Sequence, residues 1–311
     1  MDYWSLNPYV GCEFGCSYCY ARYAHRYVVE RAHAAGKLTD AEFTEYRGPQ
    51  GWEAFENRIF VKKSILAALD ADLRRFFRSI RPSGHPAALV IGTATDPYQP
   101  AERRFRLTRA VLQRLARCEG LSLGIITKSP LIARDRDVLL EIQRRNDLQV
   151  HVSLITVDAD LVRMMEARSP MPHARLGALE KLTAAGVNAG MIIAPVLPGI
   201  TDDVAHLDAL FGAARQAGAR FVHVGPLRLY PAIRDRFLPL LGENFPQLLP
   251  RYQKAYAHQG AAPRDYTRAL MRRVHALQRK HGFARNEGMI DRYQVRRPKA
   301  QVELELRGSV P

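Results

Sequence analysis

The sequence is poor in cysteine and contains no long hydrophobic run. Four cysteines occur among 311 residues, too few for two metal clusters that are each held wholly by cysteine. No segment approaches the roughly 18 consecutive apolar residues of a membrane helix. The first residues lack the basic flank and apolar core of a signal peptide, so secretion is not expected. We therefore expect a cytoplasmic protein with no membrane partner.

Acidic residues are also in short supply. The chain carries 31 Asp and Glu against 46 Lys and Arg, which gives a formal net charge of +15 and a sequence pI of about 10.0. Such a surplus is typical of proteins that bind polyanions, and nucleic acid is a candidate partner. It is equally typical of an arginine-rich proteome. The positive charge is scattered along helical segments, and no nucleic-acid recognition motif accompanies it.

Three of the four cysteines lie within eight residues. Cys12, Cys16 and Cys19 have the spacing Cys-x3-Cys-x2-Cys, and thiolates clustered this tightly suit an iron–sulfur centre or zinc better than disulfides. Three ligands would leave the fourth iron of a cubane open for chemistry. A structural zinc site is the alternative, with His25 as the nearest fourth ligand, but zinc ligands usually come as two separated pairs.

The residues around these cysteines resemble a known family. Asn7-Pro8-Tyr9, Tyr18-Cys19-Tyr20 and Tyr20-Ala21-Arg22 are similar to the radical S-adenosylmethionine (SAM) superfamily, in its spore-photoproduct-lyase-like branch, often labelled DNA repair photolyases. The resemblance implies a [4Fe-4S] cluster held by Cys12, Cys16 and Cys19. It also implies that SAM binds the fourth iron through its amino and carboxylate groups.

The resemblance implies a reaction as well. A one-electron reductant, such as flavodoxin or ferredoxin, would reduce the cluster. Reductive cleavage of SAM would then give methionine and a 5′-deoxyadenosyl radical that abstracts hydrogen from a substrate. The substrate stays open between a nucleic-acid lesion or base and a peptide or small molecule. A basic nucleic-acid-binding protein with a structural metal site is the alternative from another class.

Short apolar runs alternate with amphipathic helical patterns along the chain. This alternation predicts repeated βα units and a parallel sheet, hence an incomplete (βα)6 TIM-like barrel over residues 1–230. The resemblance implies the same α/β fold. Residues 32–58 are polar and broken by glycine and proline, and we interpret them as an insertion or lid. Residues 231–311 form a predicted C-terminal extension with a helix near 265–281 and an edge strand near 295–308. The predicted strands are residues 5–10, 87–92, 122–127, 149–156, 188–196 and 221–225.

Polar residues follow several predicted strands at their carboxyl ends, where barrels of this type gather function. By position, the resemblance implies that they contact SAM. Turn formation and helix capping explain Thr93, Thr95 and Asp96 equally well. Lys128 could be an ordinary surface lysine, and Ser153 could face either the lumen or the helices. These residues are Thr93, Thr95 and Asp96 after the second strand, Lys128 after the third, and Ser153 in the fourth.

Two further residues complete the predicted site. Tyr20 follows Cys19, the last of the three predicted ligands, at a position where the resemblance implies an aromatic ring beside the adenine of SAM. Cys118 lies on the apolar face of a helix, so we interpret it as a structural thiol and not as a hydrogen-atom donor. The sequence assigns no catalytic residue, and we expect its histidines to be structural.

Overall fold

Six parallel strands form the frame of the molecule. The computed structural model describes residues 3–47, 51–80, 88–258 and 260–284. The main sheet runs in the order β1-β4-β5-β6-β7-β8, and every neighbouring pair in it is parallel. This is the incomplete (βα)6 barrel that the alternating pattern predicts. The strands are β1 (Tyr3–Leu6), β2 (Tyr9–Val10), β3 (Phe60–Val61), β4 (Ala88–Ile91), β5 (Ser122–Thr127), β6 (Asp147–Ser153), β7 (Ala189–Val196) and β8 (Val222–Pro226).

Helices connect the strands and follow the last of them. None of those in the described part of the chain is long and apolar enough to cross a bilayer. The helices are α1 (Tyr23–Ala34), α2 (Asp40–Arg47), α3 (Gly51–Asn57), α4 (Ile65–Ile80), α5 (Ala101–Phe105), α6 (Leu107–Leu115), α7 (Arg136–Gln143), α8 (Ala159–Met165), α9 (Pro172–Ala184), α10 (Val204–Gln216), α11 (Pro231–Asn244), α12 (Leu249–Ala255) and α13 (Arg264–Lys280).

The two faces of the sheet have different roles. Trp4 on β1 packs against Phe76 of α4, with ring centroids 5.4 Å apart, so its face of the sheet points to the helices. Its in-register partners on β4 and β5, Leu89 and Leu123, share that face and are buried. Successive residues of a strand alternate between faces, and register partners lie on the same face. The intervening positions therefore line the lumen of the barrel.

Five of the six predicted strands are found with ends within three residues of the prediction. The other prediction, a single strand over residues 5–10, was wrong. The strand breaks after Leu6, and β2 pairs antiparallel with β3 outside the main sheet. The side chain of Asn7 explains the break, because it accepts a hydrogen bond from the Ala94 N–H at 3.0 Å. Pro8 follows it and has no N–H to donate to a ladder.

The segment over residues 32–58 contains helices, where the sequence predicted only an insertion or lid. It holds the end of α1, then α2 and α3. A capping box begins α2: the Glu42 N–H donates to Thr39 Oγ1 at 3.3 Å, and the Thr39 N–H donates to Glu42 Oε2 at 2.8 Å. The Thr-x-x-Glu spacing is therefore the sequence signal for this helix.

The molecule has two apolar cores, and residues that follow β8 contribute to both. Leu270, Val274 and Leu277 of α13 belong to the main core. Phe237 of α11 belongs to a second core that also contains Phe14 of the cysteine loop. The boundary at residue 230 stays a prediction, and the predicted strand near 295–308 lies outside the described residues.

Candidate metal centre

The three clustered cysteines lie on a loop that packs against α3. The Cys12 N–H donates to the carbonyl of Phe55 at 2.8 Å. Gly11 and Gly15 have φ values of +89° and +68°, a region that glycine adopts without strain. A Cβ on Gly11 would also stand 2.7 Å from the Phe55 oxygen. These two glycines permit the turns of the loop that directly precede Cys12 and Cys16.

The thiols are free, and Cys16 is buried whereas Cys12 and Cys19 are partly exposed. None of the three forms a disulfide. Burial raises the pKa of Cys12 to about 12 and the pKa of Cys16 well above its usual range, and it also raises the pKa of Cys19. Lys128 opposes this effect at Cys16 and favours its thiolate. Metal ions bind such thiols by displacing their protons, so the donor set is that of a soft metal centre.

A cluster fits this donor set better than a single ion does. Within the described ranges, no three Cys, His, Asp or Glu side chains converge closely enough to hold one metal ion. His25, the nearest fourth ligand for zinc, has its Nε2 3.3 Å from the Arg58 carbonyl, and its ring packs against Phe55 and Phe60. In a cubane each cysteine binds a different iron, so the sulfurs need not meet at one point.

Thr95 and Gln99 hold the cysteine loop from the barrel side. The Thr95 hydroxyl donates to the Gly11 carbonyl at 2.5 Å, and Gln99 Nε2 donates to the same oxygen at 3.1 Å. Gln99 Oε1 accepts from the Glu13 N–H at 3.1 Å. Both side chains are buried. The hydrogen of the Thr95 hydroxyl is therefore committed to the loop, and the SAM contact that the resemblance implies for Thr95 stays a prediction.

Thr93 lies between β1 and Tyr20. Its hydroxyl pairs with that of Ser5, and it accepts from Asn7 Nδ2 at 3.2 Å. The hydroxyl of Tyr20 donates to the Thr93 carbonyl at 2.6 Å. The Tyr20 side chain is 48% exposed. This hydrogen bond links Tyr20, the residue after Cys19, to the segment that follows β4.

Asp96 is a well-satisfied carboxylate beside Cys12. Its Oδ1 accepts from Thr127 Oγ1 at 2.7 Å and from the Tyr98 N–H at 2.9 Å, and its Oδ2 accepts from the Lys128 N–H at 2.7 Å. Burial raises the pKa of Asp96, and these hydrogen bonds oppose the rise because they favour the charged form. The carboxylate also raises the pKa of the Cys12 thiol.

Lys128 and Ser153 meet in the lumen. Register places Leu148 of β6 beside the helix-facing Leu123, so Ser153 lies on the lumen face. Lys128 Nζ donates to Ser153 Oγ at 3.1 Å and lies 5.7 Å from the centre of the Tyr18 ring. Burial lowers the Lys128 pKa, but nearby negative groups, chiefly Glu166, outweigh burial and raise it. The site therefore keeps a positive charge near the thiols.

Glu166 is a buried carboxylate that the sequence did not single out. It is fully buried, accepts hydrogen bonds from Tyr18 and Arg175, and lies 3.6 Å from Lys128 Nζ. Burial alone would raise its pKa, but Lys128 and Arg175 lower the pKa to about 2. Its backbone also forms an antiparallel bridge with Cys16. Glu166 therefore ties the inner side of the loop to the lumen lysine.

Comparison with known proteins identifies the family. The sequence model of the radical SAM superfamily matches residues 6–210. The chain belongs to the radical SAM superfamily. An uncharacterized protein of Mycobacterium tuberculosis is 34% identical over 281 residues, which cover 90% of this chain and 75% of that protein. Another, of Methanocaldococcus jannaschii, is 26% identical over 197 residues, 63% of this chain and 61% of its own.

A solved structure shows the same fold. It is a spore photoproduct lyase variant with bound AdoMet and dinucleoside spore photoproduct, which matches with a TM-score of 0.61 and 12% identity over 89% of this chain and 73% of that one. At this identity the match supports the architecture alone. The chain is a radical SAM enzyme with the incomplete barrel that the resemblance implied.

A second carboxylate holds the cysteine loop of this radical SAM enzyme from the side of α3, which we call the outer side of the loop. Glu56 of α3 pairs with three arginines: Arg22, Arg168 at 2.7 Å and Arg236 at 2.9 Å. Arg22 is buried, and its Nη2 also donates to the Cys16 carbonyl at 3.2 Å. Glu56 therefore links the loop, α3 and α11.

The remaining cysteine lies away from this site, and His151 is a buried histidine of the lumen. Cys118 follows α6 and precedes β5, so it is at the amino end of the barrel. Its Sγ is 3.9 Å from the Arg114 carbonyl, and it packs against the main core. His151 is buried on the lumen face, with its ring 5.0 Å from that of Phe221. Burial lowers the His151 pKa to about 3, so the ring is neutral near pH 7.

Proposed function

We propose that this chain binds a [4Fe-4S] cluster through Cys12, Cys16 and Cys19 and uses it to cleave SAM reductively. The observation that carries the proposal is the placement of three free thiols on one braced loop. That loop lies at the carboxyl ends of the barrel strands, beside a lysine in the lumen. When bound, the cluster would supply one electron to the SAM sulfonium, giving methionine and a 5′-deoxyadenosyl radical.

The polar residues around the thiols suit the methionine part of SAM. Lys128 is a partly buried ammonium in the lumen and would pair with the SAM carboxylate, with Ser153 orienting its Nζ at 3.1 Å. Asp96 would accept from the SAM ammonium. Because its two oxygens already hold three donors, its position is fixed before SAM binds.

Tyr20 and Thr93 would contact the adenosine part. The Tyr20 ring is half exposed and is anchored through its hydroxyl to the Thr93 carbonyl. A ring fixed at one end can offer its face to a planar base. Thr95 would act differently, because its hydroxyl holds Gly11 and so positions the loop that carries the ligands.

A nucleic-acid lesion or base is the substrate class that we propose. The net charge of +15 favours a polyanionic substrate, and a solved relative in fold carries a dinucleoside spore photoproduct. Cys118 lies at the opposite end of the barrel from the thiol loop. A hydrogen-atom donor near the open iron would therefore have to be another group, or the radical would be returned to the cofactor.

The test of the proposal is SAM cleavage by anaerobically reconstituted protein with dithionite as the reductant. We expect release of 5′-deoxyadenosine from wild type and from Cys118→Ala, the matched control, and loss of release in Cys16→Ala. Equal behaviour of Cys16→Ala and wild type would contradict the proposal. Zinc in place of iron after anaerobic purification would favour the structural metal site instead.

Substrate class is tested separately by salt dependence. Binding of a single-stranded oligonucleotide should weaken steeply with salt, because several phosphate contacts release counterions. We expect a loss of roughly tenfold or more in affinity between 50 and 200 mM salt. A binding constant that does not respond to salt would contradict a nucleic-acid substrate and leave the cofactor proposal standing.

A further inference from the structure

We infer that the arginines around Glu56 form a docking surface for an acidic one-electron carrier protein. The inference rests on the proposed function, since a carrier is needed only if the loop holds a redox cluster. The surface is defined by two partly exposed guanidiniums, Arg168 and Arg236, whose side chains are 49% and 31% exposed. We call these two residues the arginine surface.

The arginine surface lies directly over the cysteine loop. Arg168 Nε donates to the Glu13 carbonyl at 2.7 Å, and the Arg168 N–H donates to the Phe14 carbonyl at 3.0 Å. A Cβ built on Gly15 would stand 3.4 Å from Arg168 Nη2. The guanidinium therefore covers the backbone between the first two cysteines. A protein that touches Arg168 is separated from the thiol site by little more than this loop.

This surface is on the outer side of the loop. Glu56 belongs to α3, and the carbonyl of the neighbouring Phe55 accepts the Cys12 N–H at 2.8 Å, so this surface meets the loop on the α3 side. Lys128 and Ser153, by contrast, approach the thiols from the lumen. An electron can therefore enter through the outer side while SAM and the substrate occupy the inner side.

The charge of the surface selects the kind of partner. Three guanidiniums converge on the single carboxylate of Glu56, in a chain whose net charge is +15. Electron-transfer complexes use small, weak interfaces, and complementary charge steers their encounter more than it raises their affinity. An acidic carrier, such as a reduced flavodoxin, fits both requirements. In the transfer itself the carrier loses one electron and the oxidised centre gains it, and no bond is made or broken.

A nucleic acid is the competing occupant of a basic surface. It fits less well here, because hydrogen abstraction requires the substrate to reach the lumen, whereas the arginine surface lies on the backbone of the cysteine loop, where Arg168 contacts the Glu13 and Phe14 carbonyls. The two partners are separated by experiment. Loss of oligonucleotide binding in arginine-surface variants, with unchanged carrier binding, would overturn the inference in favour of nucleic acid.

The experiment compares two reductants on the same reconstituted enzyme. SAM cleavage is measured with reduced flavodoxin at limiting concentration and, separately, with dithionite, for wild type, Arg168→Gln and Arg236→Gln. Arg145→Gln is the matched control, because Arg145 is 58% exposed and pairs with one carboxylate, Glu119, at 3.2 Å. Affinity for flavodoxin is also measured directly, by titration at several salt concentrations.

We expect the ratio of flavodoxin-driven to dithionite-driven cleavage to fall about fivefold to tenfold in each arginine-surface variant at low salt. Flavodoxin affinity should fall in parallel, and the difference from wild type should shrink at high salt, where charges are screened. Arg145→Gln should behave as wild type. Unchanged ratios and affinities in both variants would overturn the inference. No cleavage by wild type with dithionite would instead refute the proposed function.

Discussion

Two buried carboxylates hold the cysteine loop, Glu166 beside the lumen lysine and Glu56 on α3, and they differ in their surroundings. Glu166 is fully buried; its partners Tyr18 and Arg175 are buried too, and the Lys128 side chain is 15% exposed. Glu56 is 7% exposed, and two of its three arginines reach the surface. The inner carboxylate therefore sets the charge of the site that faces the lumen. The outer carboxylate fastens the loop to α3 and α11 and gathers positive charge at the surface.

The largest expected effect is the loss of stability when the charge of Glu166 is removed. Glu166→Gln leaves the fully buried Arg175 without its carboxylate, and breaking a buried ion pair from one side costs about 3–5 kcal/mol. The free energy of unfolding, measured by urea denaturation, should fall by that amount. A loss below about 1 kcal/mol would show that the Arg175 charge is compensated elsewhere.

The second prediction concerns acid stability. The pKa of Glu166 is lowered from its ordinary 4.5 to about 2 in the folded chain, so its contribution is complete above pH 4.5 and is lost as the pH falls toward 2. A shift of this size corresponds to about 3 kcal/mol. The free energy of unfolding of wild type should fall by that amount over this pH range. In Glu166→Gln, the part of the pH dependence that comes from Glu166 should be missing. Parallel pH profiles of the two proteins would contradict the assignment.

The third prediction concerns the outer carboxylate. Glu56→Gln should lower the free energy of unfolding by about 2 kcal/mol, which is less than the effect of Glu166→Gln. The reason is that Arg168 and Arg236 can be hydrated and Arg22 still donates to the Cys16 carbonyl. The measurement is the same urea denaturation. If Glu56→Gln cost as much as Glu166→Gln, the contrast between the two sides of the loop would be wrong.

The smallest expected effect concerns the lumen lysine. Lys128→Met should weaken SAM binding about tenfold, or 1.4 kcal/mol, because the SAM carboxylate loses its ammonium partner. Calorimetric titration of SAM into the reconstituted protein measures this. Lys280→Met is the control, since Lys280 is 60% exposed and pairs with Asp208 on α10. Equal SAM affinity in Lys128→Met and wild type would remove Lys128 from the proposed SAM site.

The barrel and the thiol cluster could be predicted because both leave local signals in the sequence. Parallel strands buried on both faces read as short apolar runs, and their polar carboxyl ends mark the functional rim. The spacing of Cys12, Cys16 and Cys19 is itself local. The strand over residues 5–10 was predicted too long because apolar pattern alone does not show that the Asn7 side chain replaces a ladder partner.

The supports of the site could not be predicted in the same way. Glu56 and Arg168 are 112 positions apart, and Tyr18 and Glu166 are 148 positions apart. Pairs at such separations follow from the fold and have no local pattern. A weak signal existed for Glu166, since a lone acid follows two methionines in a connection. The capping box at Thr39 and Glu42 was a stronger one, and it would have revealed α2.

The most direct test of the account is the electron paramagnetic resonance spectrum of the reduced, reconstituted protein with and without SAM. We expect a [4Fe-4S] signal that changes shape when SAM is added, because SAM would bind the open iron. Cys16→Ala should lose this signal, and Cys118→Ala should keep both the signal and its response to SAM. A wild-type signal that SAM leaves unchanged would contradict the claim that the cysteine loop holds a cluster with an open iron.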